Sequence, residues 1–202
     1  MSYTVRSSEK LRKSGSEAET KALLYLMNFR MDSDKIYYFV VDFFNDLTGM
    51  DSMASKLWDM QSKGAHNVGP NAIGKELVTL FKNYMSELSF EAYILFVGSV
   101  TGSLRKDSSI DIFGRSNIKE SAIELIKNGL VEEGKDKEYI DNDTLTEKNI
   151  DDFLDKVLIV VDNDKKPSEY VKAIIKNHPN IIPEEKILDA IFNEIRDKQA
   201  GK

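Results

Sequence analysis

Carboxylate, amide and ammonium side chains recur inside two short apolar stretches, residues 40–49 (VVDFFNDLTG) and 57–64 (LWDMQSKG). In an extended strand successive side chains leave on opposite faces. Asp59, Gln61 and Lys63 therefore share one face of the second stretch, and Trp58, Met60 and Ser62 line the other. The same alternation gives Asp42, Phe44 and Asp46 a common face in the first. Such groups on a core-like hairpin are costly to desolvate unless they pair with one another or hold a metal ion. The two stretches are the candidate working site, and metal-assisted chemistry is what their residue types would support.

The elements around them follow from periodicity and turn chemistry. Ser14 or Ser16 is a candidate cap for a helix with Glu17 and Glu19 in its early positions and AETKALLYLMNF as its body. Lys35 to Leu47 reads as one long strand, TGMDSMA as a turn, and Lys56 to Lys63 as a second strand. The loop GAHNVGPN leads into a helix with Ile73, Leu77, Leu80, Phe81, Tyr84 and Leu88 at a 3.6-residue period. Phe90 to Val100 is nearly all apolar, as expected of a strand covered on both faces.

Further on, the pattern predicts a short strand at Ile110 to Phe113, a helix at Asn117 to Asn128 and an acidic connection from Glu132 to Thr146. A strand at Lys156 to Val161 and helices near Ser168 to Asn177 and Pro183 to Lys198 complete the chain. In the last helix Ile187, Leu188, Ile191, Phe192 and Ile195 make a stripe for the core or for a partner. The expectation is one α/β domain over residues 1–202, with a core at about 7–114 and an α/β and helical portion at about 115–202.

Composition narrows the chemistry. The 202 residues suffice for one domain with a real core. With no cysteine, disulfides, thiolate metal sites and cysteine nucleophiles are excluded. The N-terminus has no apolar signal region, and YYFVV and AYILFV are too short for a bilayer, so a cytoplasmic protein without membrane contact is expected. The net charge of −6 belongs to residues 131–202, where 18 acidic residues face 12 basic ones. Arg6, Lys10, Arg12 and Lys13, and the pair Arg105 and Lys106, are basic clusters that suit either phosphate or solvent.

The order of a helix with an acid, a strand ending in Asp, a strand carrying Q-x-K, a helix and a strand resembles the PD-(D/E)XK nuclease core. More narrowly, it resembles the double-stranded-DNA nuclease domain of bacterial anti-phage effectors of the CBASS and Lamassu kind. Ser14-Gly15-Ser16-Glu17-Ala18-Glu19 takes the place of that group's Gly, small residue and polar residue on the first helix. Asp42-Phe43-Phe44-Asn45-Asp46 takes the place of its E-x-x-D-D string, with Asp42 for Glu and Asn45 for the first Asp, and Gln61-Ser62-Lys63 matches its Q-x-K. The likeness covers about residues 7–100.

It implies a restriction-endonuclease-like fold that cleaves double-stranded DNA with Mg²⁺ or Mn²⁺. Asp46, Gln61 through its amide oxygen, and the backbone carbonyl of Ser62 would hold the metal. Lys63 would lower the pKa of the attacking water or stabilise transition-state charge. Glu19, Asp42 and Asp59 would stand outside the direct ligands, Asp59 as an additional acid on the Gln61 face that the family motif does not specify. The same likeness implies a regulatory or sensor partner within a defence system and activation as a homo-oligomer.

Plainer roles stand beside these: a turn residue at Asp46, a snorkelling strand end at Lys63, a solvated helix residue at Glu19. A catalytically inactive DNA-binding or assembly module, and an RNA-directed nuclease, are the rival functions. Residues 69–76 nearly fit a P-loop, but Glu76 replaces the hydroxyl and Pro70 removes an amide donor. Asp141-Asn142-Asp143 and Asp162-Asn163-Asp164 lack the Gly and distal Glu of a calcium loop, and His66 and His178 show no metal-ligand spacing.

Overall fold

In the computed structural model, which describes residues 13–28, 32–175 and 183–200, one open sheet lies between two layers of helix. Its strands are β1 (Tyr38–Val41), β2 (Leu47–Met50), β3 (Leu57–Lys63), β4 (Phe90–Val97), β5 (Ile112–Phe113) and β6 (Val157–Val161), in the spatial order β1-β2-β3-β4-β6-β5. The first three form an antiparallel meander; β4 and β6 run parallel to β3, and β5 closes the far edge antiparallel to β6. The helices are α1 (Lys13–Asn28), α2 (Pro70–Glu76), α3 (Val78–Tyr84), α4 (Glu120–Lys135), α5 (Glu147–Leu154), α6 (Pro167–Ile175) and α7 (Glu185–Ala200). Parallel neighbours need a crossover; α2 and α3 supply it between β3 and β4, and α4 and α5 precede β6.

Alternation divides the core into two halves. Leu57, Tyr93, Leu95 and Val97 pack with Phe81, Ile126 and Phe153 on the side of α2 to α5. Trp58, Met60, Ile94 and Phe96 pack with Leu24, Leu26, Tyr170 and Phe192 on the side of α1, α6 and α7. Each fully buried large side chain contributes about 1.5–3 kcal/mol. Because β4 is covered twice, its sequence is apolar at nearly every position. The α/β class and most strands agree with expectation, and the stripe of α7 faces inward: Leu188 and Phe192 are buried, while Ile187 is exposed. Strand β6, from the later part of the chain, lies inside the same sheet, between β4 and β5.

Four expectations need correction. The long strand at Lys35 to Leu47 is a hairpin: β1 and β2 pair antiparallel, and the Asp42 N–H donates to the Asp46 carbonyl at 3.1 Å across the loop. Asp42 sits there in the left-handed region (φ 55°), a conformation that Asp tolerates better than most residues. The supposed turn TGMDSMA contributes residues 48–50 to β2, and the turn proper follows, where the Asp51 carboxylate accepts from the Ser55 and Lys56 N–H groups at 2.6 and 3.0 Å. Helix α1 is already formed at Lys13, so Ser14 and Ser16 lie inside it and do not cap it. The acidic connection is partly helical: α4 continues to Lys135, and α5, unforeseen, is capped by the Thr146 hydroxyl accepting from Asn149 N–H at 3.2 Å.

The P-loop-like glycine has a packing explanation. A Cβ on Gly74 would stand 2.0 Å from the Ile126 carbonyl oxygen, and one on Gly129 would stand 2.0 Å from that of Asn71. Helices α2 and α4 cross backbone to backbone at these two positions.

Candidate active site

The β2–β3 ladder carries the site. It pairs Leu47 with Met60 and Thr48 with Asp59, and one more step sets Asp46 opposite Gln61. Asp46 Oδ2 accepts three hydrogen bonds, from Gln61 Nε2 at 2.9 Å and from the Ser62 N–H and hydroxyl at 2.7 Å each. Gln61 Oε1 in turn accepts from the Thr79 hydroxyl of α3 at 3.2 Å. The carboxylate is thus pinned against the Q-x-K segment from the neighbouring strand. Burial raises its pKa, the Ser62 and Gln61 donors pull it back, and the Asp42 carboxylate adds to the rise.

Lys63 ends β3 on the Gln61 face. It is half exposed, and its ammonium meets Glu76 of α2 at 3.0 Å. Glu76 enters the sequence pattern only as a flaw in the P-loop match; its position at the end of α2 makes it the partner of Lys63.

Asp59 shares the Gln61 face. It is fully buried; Asn45 Nδ2 donates to its two oxygens at 2.9 and 2.8 Å, and Asn83 Nδ2 of α3 donates to Oδ2 at 2.7 Å. Burial pushes its pKa up to about 6, opposed by the Asn83 and Asn45 amides and by Lys82, with Asp46 adding a little. A carboxylate so enclosed is a clamp: through Asn45 it fixes the loop that delivers Asp46. Asn45, which stands where the resemblance has an acid, serves as the other half of that clamp.

Glu19 is buried on α1, the helix that covers the Trp58 and Met60 face of β3, opposite to Gln61 and Lys63. The site therefore gathers Asp46, Gln61 and Ser62 by direct bonds, Lys63 with Glu76, and Asp42 within electrostatic reach. Among the described residues no group of three or more His, Asp or Glu side chains converges to hold a metal ion. The Asp46 carboxylate meets the Gln61 NH₂ and the Ser62 N–H and hydroxyl, while Gln61 Oε1 is turned to Thr79; with the Gln61 oxygen and the Ser62 carbonyl, the carboxylate would make an oxygen-only set of the kind that suits Mg²⁺ and its retained waters. All three protein donors meet Oδ2, and among the described residues none meets Oδ1.

The remaining motifs resolve as structure. Asp162 is buried, accepting from Lys21 Nζ at 2.9 Å and from the Tyr170 hydroxyl at 2.5 Å, so it ties α1, β6 and α6 together. Burial and the Asp162 carboxylate raise the Tyr170 pKa, which keeps the phenol protonated. Asp141 accepts from Asp143 N–H at 3.0 Å as a turn cap. His66 pairs with Asp164 at 3.2 Å on the surface, and Arg105 lies 3.7 Å from Asp111. Arg6, Lys10, Arg12, the side chain of Lys13, and His178 lie outside the described residues. No helix among the described residues is long and apolar enough to cross a membrane. No protein-family model, curated protein or solved structure matches this chain.

Proposed function

We propose that this chain is a metal-dependent endonuclease of restriction-endonuclease-like type that cleaves phosphodiester bonds of double-stranded DNA, acting as an effector of anti-phage defence. The observation that carries the reading is the contact of Asp46 with Gln61 and Ser62 at 2.7–2.9 Å, two residues ahead of Lys63 on the same strand. The order helix, three-strand meander, helix, parallel strand is compatible with the core that the resemblance implies.

Mg²⁺ or Mn²⁺, when bound, supplies Lewis-acid stabilisation of the charge on the phosphate oxygens. Asp46, Gln61 and the Ser62 carbonyl are the residues that would hold it. If the Gln61 amide turns over, its oxygen faces the cation and its NH₂ faces the Thr79 hydroxyl, which accepts as well as donates, so the bond to Asp46 Oδ2 is exchanged for the metal contact. Lys63, aimed by Glu76, sets an ammonium beside the scissile group, where it stabilises developing negative charge and lowers the pKa of the attacking water. Uncontrolled DNA cleavage would harm the host, so the reading includes a regulatory or sensor partner and activation by homo-oligomerisation.

A second reading, a nuclease-derived DNA-binding or assembly module without activity, draws support from Asn45, which serves as a clamp where the resemblance has an acid. Supercoiled plasmid incubated with Mg²⁺ or Mn²⁺ over a series of protein concentrations separates the two. Nicking or linearisation that disappears with chelator, and in folded Asp46→Ala and Lys63→Ala variants, is the expected result. Cleavage that persists in both variants would refute the site. A wild type that shows neither cleavage nor Asp46-dependent metal binding would favour the module.

A further inference from the structure

The loop that delivers Asp46 also displays an aromatic ring. Between β1 and β2, Phe44 turns inward and packs edge-on against Phe90, with ring centroids 5.4 Å apart at 81°. Asn45 turns inward to Asp59, and Asp46 lies against Gln61 and Ser62. Phe43 alone among these four projects outward, 52% exposed, with its ring 4.6 Å from that of Phe44 at 65°.

We propose that Phe43 is a stacking platform for a nucleobase of the DNA substrate beside the scissile phosphate, so that the preferred substrate has locally unstacked or unpaired bases. The inference rests on the nuclease reading above. A lone exposed Phe on a flexible loop would carry little meaning. Here the ring packs against Phe44, which is partly buried and itself anchored on Phe90, and the loop that carries it is tied down by the Asn45–Asp59 clamp. The Asp42 backbone, held at φ 55°, closes the loop through its bond to the Asp46 carbonyl. A pre-ordered ring loses little entropy on stacking, and every base presents a π face to it. Three residues along the same loop stands the carboxylate that would act on the phosphate, so a base on Phe43 and its backbone at Asp46 are neighbours in one nucleotide stretch. Within a fully paired duplex the base faces are already covered by their neighbours, so the platform would discriminate by DNA structure without recognising sequence.

The test uses the Lys63→Ala chain, expected to bind without cutting, and two labelled oligonucleotides of one sequence, a perfect duplex and a duplex with a central unpaired bubble, followed by fluorescence anisotropy in Mg²⁺. The bubble should bind more tightly. Adding Phe43→Ala should weaken bubble binding about 5- to 150-fold and erase the preference. Phe43→Trp should keep it, and Phe43→Leu, apolar but without a π face, should not. Equal binding of both DNAs with and without Phe43 would overturn the platform and leave the nuclease reading intact. Failure to bind either DNA, together with a wild type inert on plasmid, would overturn both. Sedimentation showing that Phe43→Ala splits a dimer would assign the ring to self-association and overturn the platform.

Discussion

Asp59 offers a quantitative check on the site's construction, because a carboxylate with no exposure and two amide partners must make folding depend on pH. Its pKa stands at about 6 against 3.8 for the ordinary side chain. That difference amounts to roughly 3 kcal/mol between the two protonation states. A carboxyl whose folded pKa is raised binds its proton more tightly in the native state. Its stabilising contribution is complete below pH 3.8 and is lost as pH rises through about 6. Between pH 7.5 and pH 5 the linkage relation recovers about 1.4 kcal/mol, or about 0.7 M in urea midpoint for a slope of about 2 kcal/mol/M.

Asp59→Asn removes the titration. Asn45 can reverse its amide so that its carbonyl accepts from the new NH₂, and at pH 7.5 the variant should unfold within about 1 kcal/mol of the wild type. The assay is urea unfolding of both proteins from pH 5 to pH 8, plotted as the difference between them. Subtraction cancels the titration of the two histidines. A difference that grows toward low pH by about 1–1.5 kcal/mol is expected. A flat difference would refute the enclosure of Asp59 and, with it, the clamp that fixes Asp46.

Two further predictions concern the frame. Gly74→Ala drives a methyl to 2.0 Å from the Ile126 carbonyl, and thermal melting should show a loss of more than about 3 kcal/mol, whereas Gly69→Ala, with nothing within 4 Å of the new Cβ, should cost under about 1 kcal/mol. A larger loss at Gly69 would contradict the packing account of this glycine-rich stretch. Lys21→Ala leaves the buried Asp162 without its cation and should cost about 3–5 kcal/mol in urea unfolding, against about 1.5–3 kcal/mol for Tyr170→Phe, which removes one hydrogen bond to that carboxylate. Equal small effects would mean that the network does not bind α1 and α6 to β6.

The fold was legible wherever burial was uniform. Phe90–Val97 and Val157–Val161 are covered on both faces, so their apolar runs announce strands directly. Leu188, Ile191, Phe192 and Ile195 repeat at helical spacing because one side of α7 packs on the core. The hairpin at 42–46 stayed hidden because its loop carries two Phe side chains and flanking Val residues, so hydrophobicity never falls where the chain reverses. The reversal depends on Asp42 in the left-handed region and on anchors at Phe90 and Asp59, both distant in sequence. Helix α5 was missed for the opposite reason. It is short and rich in Asp, and its Thr146 cap and the spacing of Ile150, Phe153 and Leu154 were its only signals.

On β3, strand parity assigned faces correctly and roles incompletely; at 42–46 the chain is a loop, so the common face expected for Asp42, Phe44 and Asp46 does not form. Asp59, Gln61 and Lys63 do share a face, yet along that one face Asp59 is fully buried, Gln61 partly so, and Lys63 about half exposed. Alternation specifies which way a side chain points, while depth depends on what the crossover helices lay over it. Helix α3 closes over Asp59 through Asn83 and reaches Gln61 only with the Thr79 hydroxyl; α2 meets Lys63 only with the tip of Glu76. The gradient from sealed carboxylate to open ammonium is therefore made by α2 and α3, whose polar residues at Glu76, Thr79 and Asn83 carry no motif. A charge at the sealed end can only brace the loop, and one at the open end can meet a substrate. On the proposed function, the chemistry therefore falls to Asp46, Gln61 and Lys63 and the bracing to Asp59.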